Sequence, residues 1–352
     1  MPDTVIILTK EGQCVILSSK KKIEFLEAAK GQENGSIFEL KLLLREKSDD
    51  NAANFEEMLK YAKGKSNGET VKVGLLLKEH RANGDLKEGS IVGGWEKKLV
   101  DPDSKVDLVD ITAGVSMVMA AKDDTELDLM KKSSVLSNKV FKHGFMTRLE
   151  TVIEDSSKTT HEKLAQEVDE IIEDPSKISL KVQKETVQSC YFPIVQSGGK
   201  YDFKVSAQST SDTLKFDIIT VSLGARYQYY CSNIARTILI DPPKKVKEMY
   251  DLLHGMYEAC LKVMVPGNAL KTVYNAAVKF LKSQGKEDLV DSLPKSLGFS
   301  MGLDFRDTLL QLNPKSTVPF RQGMVFNLAV SLSGLKLSEA ARSTVNSKSP
   351  VS

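Results

Sequence analysis

At 352 residues, the chain is long enough for two domains with a substantial hydrophobic core. Hydrophobic residues make up 41% of it and charged residues 27%, and no apolar run approaches the roughly 18–20 residues of a membrane span. The net charge of +2 argues against a dedicated DNA-binding protein, and the chain lacks the strongly acidic segment expected of a chaperone for basic proteins. The composition therefore predicts a soluble protein of the cytoplasm or nucleus that does not contact membranes.

The N-terminal part of the chain alternates strand and helix patterns. Two apolar runs on either side of Gly12 predict a β-hairpin over residues 3–19. The patterns that follow predict a helix ending at Gly31, a helix at 53–64, and strands at 37–46, 71–77 and 105–111. We therefore predict an α/β N-terminal lobe over residues 1–122.

The rest of the chain has an α+β order of elements. A long helical pattern over 123–155 opens it, and a second helix is predicted to begin with a capping box formed by Thr159 and Glu162. Further strands are predicted at 201–207, 214–222, 225–232, 234–240 and 323–332, with helices at 243–264 and 270–285. We assign residues 123–338 to this second domain and expect the small, polar tail at 339–352 to be disordered.

The residue types alone single out no catalytic site. No nucleotide-binding, zinc-binding or serine-hydrolase motif is present, and the 47 acidic residues offer no distinctive carboxylate pair. The four histidines lie in predicted helices or polar connections: His80, His143, His161 and His254. The four cysteines are far apart and are predicted to be reduced thiols without a metal: Cys14, Cys190, Cys231 and Cys260.

Several segments together carry a resemblance to a known family. They read "SSKKKIEFL", "LDLMKK", "FPIVQSGGKYDFKVS", "SLGARYQYYCSNIARTILID", "SLGFSMGLDFRD" and "FRQGMVFNLAV". In this order they resemble the pita-bread fold of methionine aminopeptidase and aminopeptidase P, and in particular the N-terminal domain of the large subunit of FACT-type histone chaperones. The resemblance covers residues 3–335, and it implies an α/β N-lobe followed by an α+β pita-bread (creatinase/aminopeptidase-like) C-lobe.

The resemblance also implies that the metal ligands of the active peptidases are lost. Those enzymes hold two divalent metals with two aspartates, one histidine and two glutamates, because closely spaced hard cations need anionic oxygens. The two aspartate positions, eleven residues apart, correspond to Ser222 and Asn233. The histidine position corresponds to Phe299, a second, proton-handling histidine to Arg306, and the glutamate after "GMV" to Ala329. The last glutamate is expected on a strand beyond residue 340, which the chain is expected to lack.

The former cleft then has two possible roles. Its substituted residues either fill the old metal cavity and nothing more, or they line a cleft that binds a peptide such as a histone tail without cleaving it. The candidate peptide-binding residues are Arg306, Arg236, Tyr230 and Asn233.

Two functions follow as expectations from the resemblance. The first is a non-catalytic histone- or nucleosome-binding module of a FACT-type chaperone, located in the nucleus on chromosomes and acting in transcription, DNA replication and DNA repair. It would need no metal or cofactor, would bind core histones weakly, and would meet the HMG-type small subunit through regions outside this chain. Replication or transcription proteins are further expected partners. The alternative is a divergent metallo-aminopeptidase of the same fold.

Overall fold

The computed structural model describes residues 4–27, 39–46, 51–64, 66, 69–76, 90–199, 201–204, 206–332 and, for the backbone alone, 342–346. It divides into two units, Met1–Val115 and Ser116–Ser352. The division lies slightly before the expected one at residue 122, because Ala120 already packs in the core of the second unit. Lys122 likewise donates its N–H to the carbonyl of Gly323, 3.0 Å away.

The first unit is an α/β lobe, as predicted. The predicted hairpin is confirmed: β1 (Val5–Leu8) pairs antiparallel with β2 (Gln13–Ser18), which pairs parallel with β3 (Glu39–Leu44). β4 (Val71–Leu75) pairs parallel with β5 (Val106–Asp110). Its helices are α1 (Lys20–Glu27), α2 (Ala52–Lys63) and α3 (Ile91–Val100), and α4 (Thr112–Ala120) begins in this unit and ends in the second. The helix end expected at Gly31 lies outside the described residues.

A small hydrophobic core holds the first unit together. Phe55 of α2 and Trp95 of α3 lie with ring centroids 5.9 Å apart, over the fully buried Val15 and Leu17 of β2. Neither α3 nor α4 was predicted. In α3 the two adjacent glycines of "IVGGWEKKLV" weaken the helical pattern, and the cap at Ser90, which accepts from Gly93 N–H, supplies a start signal.

The second unit has the α+β pita-bread architecture. Its helices are α5 (Asp124–Lys139), α6 (Thr147–Glu154), α7 (His161–Glu173), α8 (Lys244–Lys262) and α9 (Lys271–Ser283). Its strands are β6 (Val187–Ser189), β7 (Ile194–Gln196), β8 (Ile218–Leu223), β9 (Ala225–Tyr227), β10 (Tyr230–Cys231), β11 (Ile234–Leu239), β12 (Gly298–Ser300), β13 (Phe326–Ser331) and β14 (Arg342–Asn346). Six of them form one sheet in the order β12-β13-β14-β11-β8-β7, and three form a small sheet in the order β10-β9-β6.

Two hydrophobic clusters cover one face of the large sheet. In the first, α8 and α9 pack against β13 through residues such as Leu253, Leu281 and Leu328. In the second, α5, α6 and α7 pack against β8 and β11 through Leu164 and Val221. These clusters leave the side chains that alternate with Val221 and Leu328 on the opposite face of the sheet.

Several local predictions are wrong in detail. The long helix expected over 123–155 is interrupted by a π-helical turn at Val140–Met146. The N-cap of α7 is Thr160, whose side chain accepts from Lys163 N–H, because the carbonyl of Thr159 is engaged by Leu214 N–H.

The described residues of 201–207 form no strand. Side-chain hydrogen bonds hold this segment instead, with Asp202 N–H donating to Gln196 Oε1 and Tyr201 OH to the Ile218 carbonyl. Within the tail expected to be disordered, β14 pairs with both β13 and β11, and the other tail residues lie outside the described part of the chain. Among the described residues, no helix is long and apolar enough to cross a lipid bilayer.

Candidate functional site

One face of the six-stranded sheet collects the positions that the family resemblance assigns to metal ligands. Ser222 of β8 lies directly opposite Ala235 of β11, and Phe299 of β12 directly opposite Asn327 of β13. Residues opposite each other share a face of a sheet, and so do residues two apart along a strand. The face therefore carries Ser222, Asn233, Ala235, Phe299, Asn327 and Ala329. A hydrogen bond of 3.1 Å from Asn233 Nδ2 to Asn327 Oδ1 joins its two halves.

Tyr191 completes a hydrogen-bonded chain across this face. Its hydroxyl lies 2.6 Å from Ser222 Oγ and donates to Asn233 Oδ1. Ser222 is 6% exposed and Asn233 2% exposed, so both hydrogen bonds lie away from solvent. The neutral oxygens at the two expected aspartate positions are thus engaged with other side chains of the protein.

Aromatic rings surround Phe299, the position expected for the histidine ligand. The rings of Phe299 and Phe305 lie 5.6 Å apart at an edge-to-face angle, and Phe305 lies 5.1 Å from the ring of Tyr191. The exposed Arg306 places its guanidinium 5.5 Å from the centroid of the Phe299 ring, within cation–π range. Phe299 itself is 7% exposed, so the rings close this part of the face to solvent.

The aspartates beside Arg306 are not its partners. Among the described residues, no ion pair joins it to Asp304 or Asp307. Asp307 Oδ1 instead accepts from Leu309 N–H at 2.7 Å, and its other oxygen accepts from the hydroxyl of Ser116.

These residues do not fit a two-metal centre. Phe299 and Ala329 offer no donor atom, and Ser222 and Asn233 offer only neutral oxygens that are already hydrogen-bonded. The strand expected to be missing beyond residue 340 is present as β14, and its Thr344 pairs with Ala329, but none of its residues is a glutamate. Within the described part of the chain, no group of three or more His, Cys, Asp or Glu residues could hold a metal ion.

Three of the four candidate peptide-binding residues lie near one another. Asn233 is buried in the hydrogen-bonded chain, and Arg306 stacks on Phe299 as described above. Tyr230 packs in a cluster with Phe305 and donates its hydroxyl to Glu126 Oε1 at 2.7 Å. Burial raises the pKa of Tyr230, and the Glu126 carboxylate raises it further, so this phenol stays protonated and acts as a donor.

Arg236 is not part of this group. It lies opposite Val221 in the strand register, so its side chain lies on the helix-covered face of the sheet. Its Nη1 donates to the carbonyl of Ala235 at 2.8 Å, and burial lowers its pKa although Tyr257 and Tyr250 oppose that effect. The alternation of side chains along β11 therefore separates Arg236 from Asn233.

A buried lysine borders the site, and the sequence did not reveal it. Lys122 is 9% exposed, donates to the Ala120 carbonyl at 2.9 Å, and lines a small pocket of about 50 Å³ together with Glu126, Asp304 and Asp307. Burial lowers the pKa of Lys122 to about 8, against the opposing effect of these carboxylates. The pocket thus combines one lysine of lowered pKa with three carboxylate side chains.

Tyr191 and Asn327 also escaped sequence reasoning. Tyr191 immediately precedes the "FPIVQSGG" segment that carried the family resemblance, but no local pattern indicates which phenol reaches Ser222 and Asn233. Asn327 follows the "GMVF" segment. It contacts Asn233 because the strand order of the sheet places β13 near β11, which the sequence does not indicate.

The fold buries one of the described histidines and brings together two cysteines that are far apart in the sequence. Only His161 is buried among the described histidines, and it bonds Ser197 Oγ at 2.8 Å and Thr210 Oγ1 at 3.1 Å. His80 lies outside the described residues. All four cysteines are free thiols, but the fold packs Cys190 against Cys231, and their contact raises the pKa of Cys190.

Comparison with known families matches both units. Residues 1–114 match the FACT complex subunit SPT16 N-terminal lobe domain, and residues 128–342 match metallopeptidase family M24. FACT complex subunit SPT16 of Oryza sativa subsp. japonica is 36% identical over 347 residues, covering 97% of this chain and 32% of the relative. The SPT16 of Dictyostelium discoideum is 33% identical over 337 residues, covering 94% of this chain and 30% of the relative. The chain thus spans about a third of the length of these relatives.

Solved structures support the same relationship. The N-terminal domain of FACT complex subunit SPT16 from Cicer arietinum has a TM-score of 0.83 and 32% identity, covering 97% of this chain and 80% of that one. The X-Pro aminopeptidase from Thermotoga maritima MSB8 has a TM-score of 0.68 and 17% identity, covering 97% of this chain and 91% of that one. This likeness shows a shared fold alone. The resemblance and the fold class expected from the sequence are confirmed. The chain belongs to the family of FACT complex subunit SPT16 N-terminal domains, in which an SPT16 N-terminal lobe is joined to a metallopeptidase family M24 domain.

Proposed function

We propose that this chain is a non-catalytic histone- or nucleosome-binding module of a FACT-type chaperone, located in the nucleus on chromosomes. The observation that carries the non-catalytic part is the chain of neutral hydrogen bonds through Tyr191. It links Ser222, Asn233 and Asn327 where an active M24 peptidase needs carboxylates. Such a module would act in chromatin reorganisation during transcription, DNA replication and DNA repair.

The substituted residues also lack the groups for proton transfer. Peptide hydrolysis by an M24-type metallopeptidase requires a metal-bound water with a lowered pKa and a residue that takes up and returns a proton. Arg306, at the position expected for the proton-handling histidine, presents a guanidinium group that has five N–H donors and no acceptor atom. It can hold a negative charge or stack on a ring, and neither action cleaves a peptide bond.

A basic histone tail is a chemically suitable partner for the border of the former cleft. Exposed Asp304, partly exposed Glu126 and the phenol of Tyr230 lie on this border. Carboxylates attract lysine and arginine side chains, but a few exposed charges give weak and salt-sensitive binding. Stronger histone contacts, and the HMG-type small subunit, would then involve regions outside this chain. Replication or transcription proteins would be additional partners.

The absence of catalysis is tested by metal analysis and peptide hydrolysis. We expect the purified chain to carry no stoichiometric manganese, cobalt or zinc and to cleave neither X-Pro nor Met-X peptides after incubation with these metals. An active X-Pro aminopeptidase, assayed in parallel, is the positive control. Bound metal together with turnover would instead support the alternative of a divergent metallo-aminopeptidase.

Histone binding is tested by retention of core histones on the immobilised chain at low and at high salt. We expect weak retention at low salt that Asp304→Lys reduces and high salt abolishes. Asp251→Lys, an equal change of charge at an exposed position of α8, is the matched control and should leave retention unchanged. No retention at low salt would contradict histone binding and leave a protein–protein scaffold.

A further inference from the structure

A groove on the second unit combines an apolar floor with a basic border. We name it the α5 groove, and its described lining consists of Lys131, Lys132, Val135, Leu136, Lys139, Leu180, Val182 and Tyr227. Its volume of about 350 Å³ falls at the lower end of the range of about 300–1,000 Å³ that ligand-binding clefts occupy. None of its residues takes part in the site at Ser222 and Asn233.

The floor of the α5 groove consists of apolar side chains that remain wholly or partly exposed at the edge of the core. Val135 is 53% exposed on the outer side of α5, where an amphipathic helix normally carries polar residues. Leu180 and Val182 are only partly buried at the edge of the core, and the partly exposed ring of Tyr227 completes the floor. These groups offer a contact for one or two apolar side chains of a ligand.

The border of the α5 groove is positive. Lys132 is bound to Asp128 at 2.7 Å and lies 5.9 Å from the centroid of the Tyr227 ring. Among the described residues, neither Lys131 nor Lys139 forms an ion pair, and the described lining of the groove contains no carboxylate. Two lysines on one helix side are therefore available to an acidic ligand.

We propose that the α5 groove binds a short acidic segment of a partner protein, with an apolar side chain of that segment on Val135 and flanking carboxylates at Lys131 and Lys139. A basic histone tail is excluded here by like charge, so this surface is separate from the proposed histone contact. A nucleic acid would satisfy the lysines, but its phosphates would leave the apolar floor uncovered. A peptide satisfies both parts of the groove.

Fluorescence anisotropy with the full chain tests this assignment. The probe is a fluorescein-labelled peptide of glutamates and aspartates around a central pair of leucines. One control peptide replaces the leucines by serines, and a second replaces the acids by glutamine and asparagine. A single-stranded oligothymidine of similar length carries the same sign of charge without apolar side chains. We expect the first peptide to bind at least about tenfold more tightly than any control, since burying each methylene contributes to affinity.

Substitutions at exposed positions locate the binding. Val135→Ser should weaken the peptide about tenfold, and Lys139→Glu should weaken it several-fold at low salt. Lys282→Glu, at an exposed position of α9, is the charge-matched control and should stay within about twofold. Unchanged thermal melting shows that each variant is folded. Equal binding of the oligothymidine, unchanged binding in Val135→Ser and Lys139→Glu, or a dimer of the chain that Val135→Ser dissociates would each overturn the proposal.

Discussion

Removal of the Tyr191 hydroxyl tests whether neutral hydrogen bonds stabilise the candidate site around Ser222 and Asn233. Tyr191→Phe deletes one oxygen atom and leaves the ring against Phe305. The variant loses the hydrogen bonds to Ser222 and Asn233, which are 6% and 2% exposed. Each intramolecular hydrogen bond contributes about 0.5–1.5 kcal/mol net, so the free energy of unfolding should fall by about 2 kcal/mol.

Thermal unfolding followed by circular dichroism measures this loss. For a domain of about 150–250 residues, 1 kcal/mol shifts the midpoint by about 2–4 °C, so the transition of the second unit should fall by about 4–8 °C. Tyr229→Phe is the matched control because Tyr229 is 71% exposed, and its midpoint should not change. A Tyr191→Phe midpoint equal to that of the parent protein would refute the idea that this hydroxyl stabilises the site.

Three further predictions concern stability. Burial lowers the pKa of His161 below its ordinary 6.5, so the unfolded chain takes up the proton first, and stability should decline as the pH falls below 6.5. Urea midpoints measured across this pH range should show the decline, and His161→Gln should lessen it. An equal decline in the variant would contradict the assignment of this effect to His161. Because burial lowers the pKa of Lys122 from 10.5 to about 8, stability should rise between these pH values by up to about 3 kcal/mol. Lys122→Met should not show that rise, and parallel pH profiles of the two proteins would argue against it. Gly323 has φ +81°, and an added Cβ would lie 2.5 Å from the Lys122 carbonyl, so Gly323→Ala should destabilise by at least about 1–3 kcal/mol. Gly114→Ala, in a helix with open space around the new Cβ, should be neutral or stabilising in the same urea titration, and equal effects of the two substitutions would contradict this reasoning.

Local structure was largely predictable from the sequence where the pattern is strongly periodic. The hairpin around Gly12 and the helices α8 and α9 follow from apolar spacing and turn residues, and the structure has them within a few positions. The expectation failed at 201–207 because the alternating pattern there is satisfied by side-chain hydrogen bonds to Gln196 and Ile218 rather than by a neighbouring strand. Alternation shows which side chains differ in environment, and it does not show whether a partner strand is present.

In the candidate site, too, the residue types were predictable from the sequence and the contacts between them were not. The residue types at 222, 233, 299 and 329 were enough to predict, through the family resemblance, that the carboxylate and imidazole ligands are replaced. Which side chains fill the space was not predictable, because Tyr191 and Asn327 reach the site from strands and loops far away in the chain. Arg236 was misplaced for a related reason: it adjoins Asn233 in sequence, but strand alternation carries it to the opposite face.

By itself, the sequence indicated the strongly periodic elements, the family resemblance and the expected replacement of anionic ligands, since these depend on residue type and short spacing. The tertiary structure alone decided that Tyr191 bridges Ser222 and Asn233, that Lys122 is buried beside three carboxylates, and that Val135 lies exposed between lysines. Each of these depends on contacts between distant segments. Such contacts are set by strand order and helix packing, which a local pattern of residues does not encode.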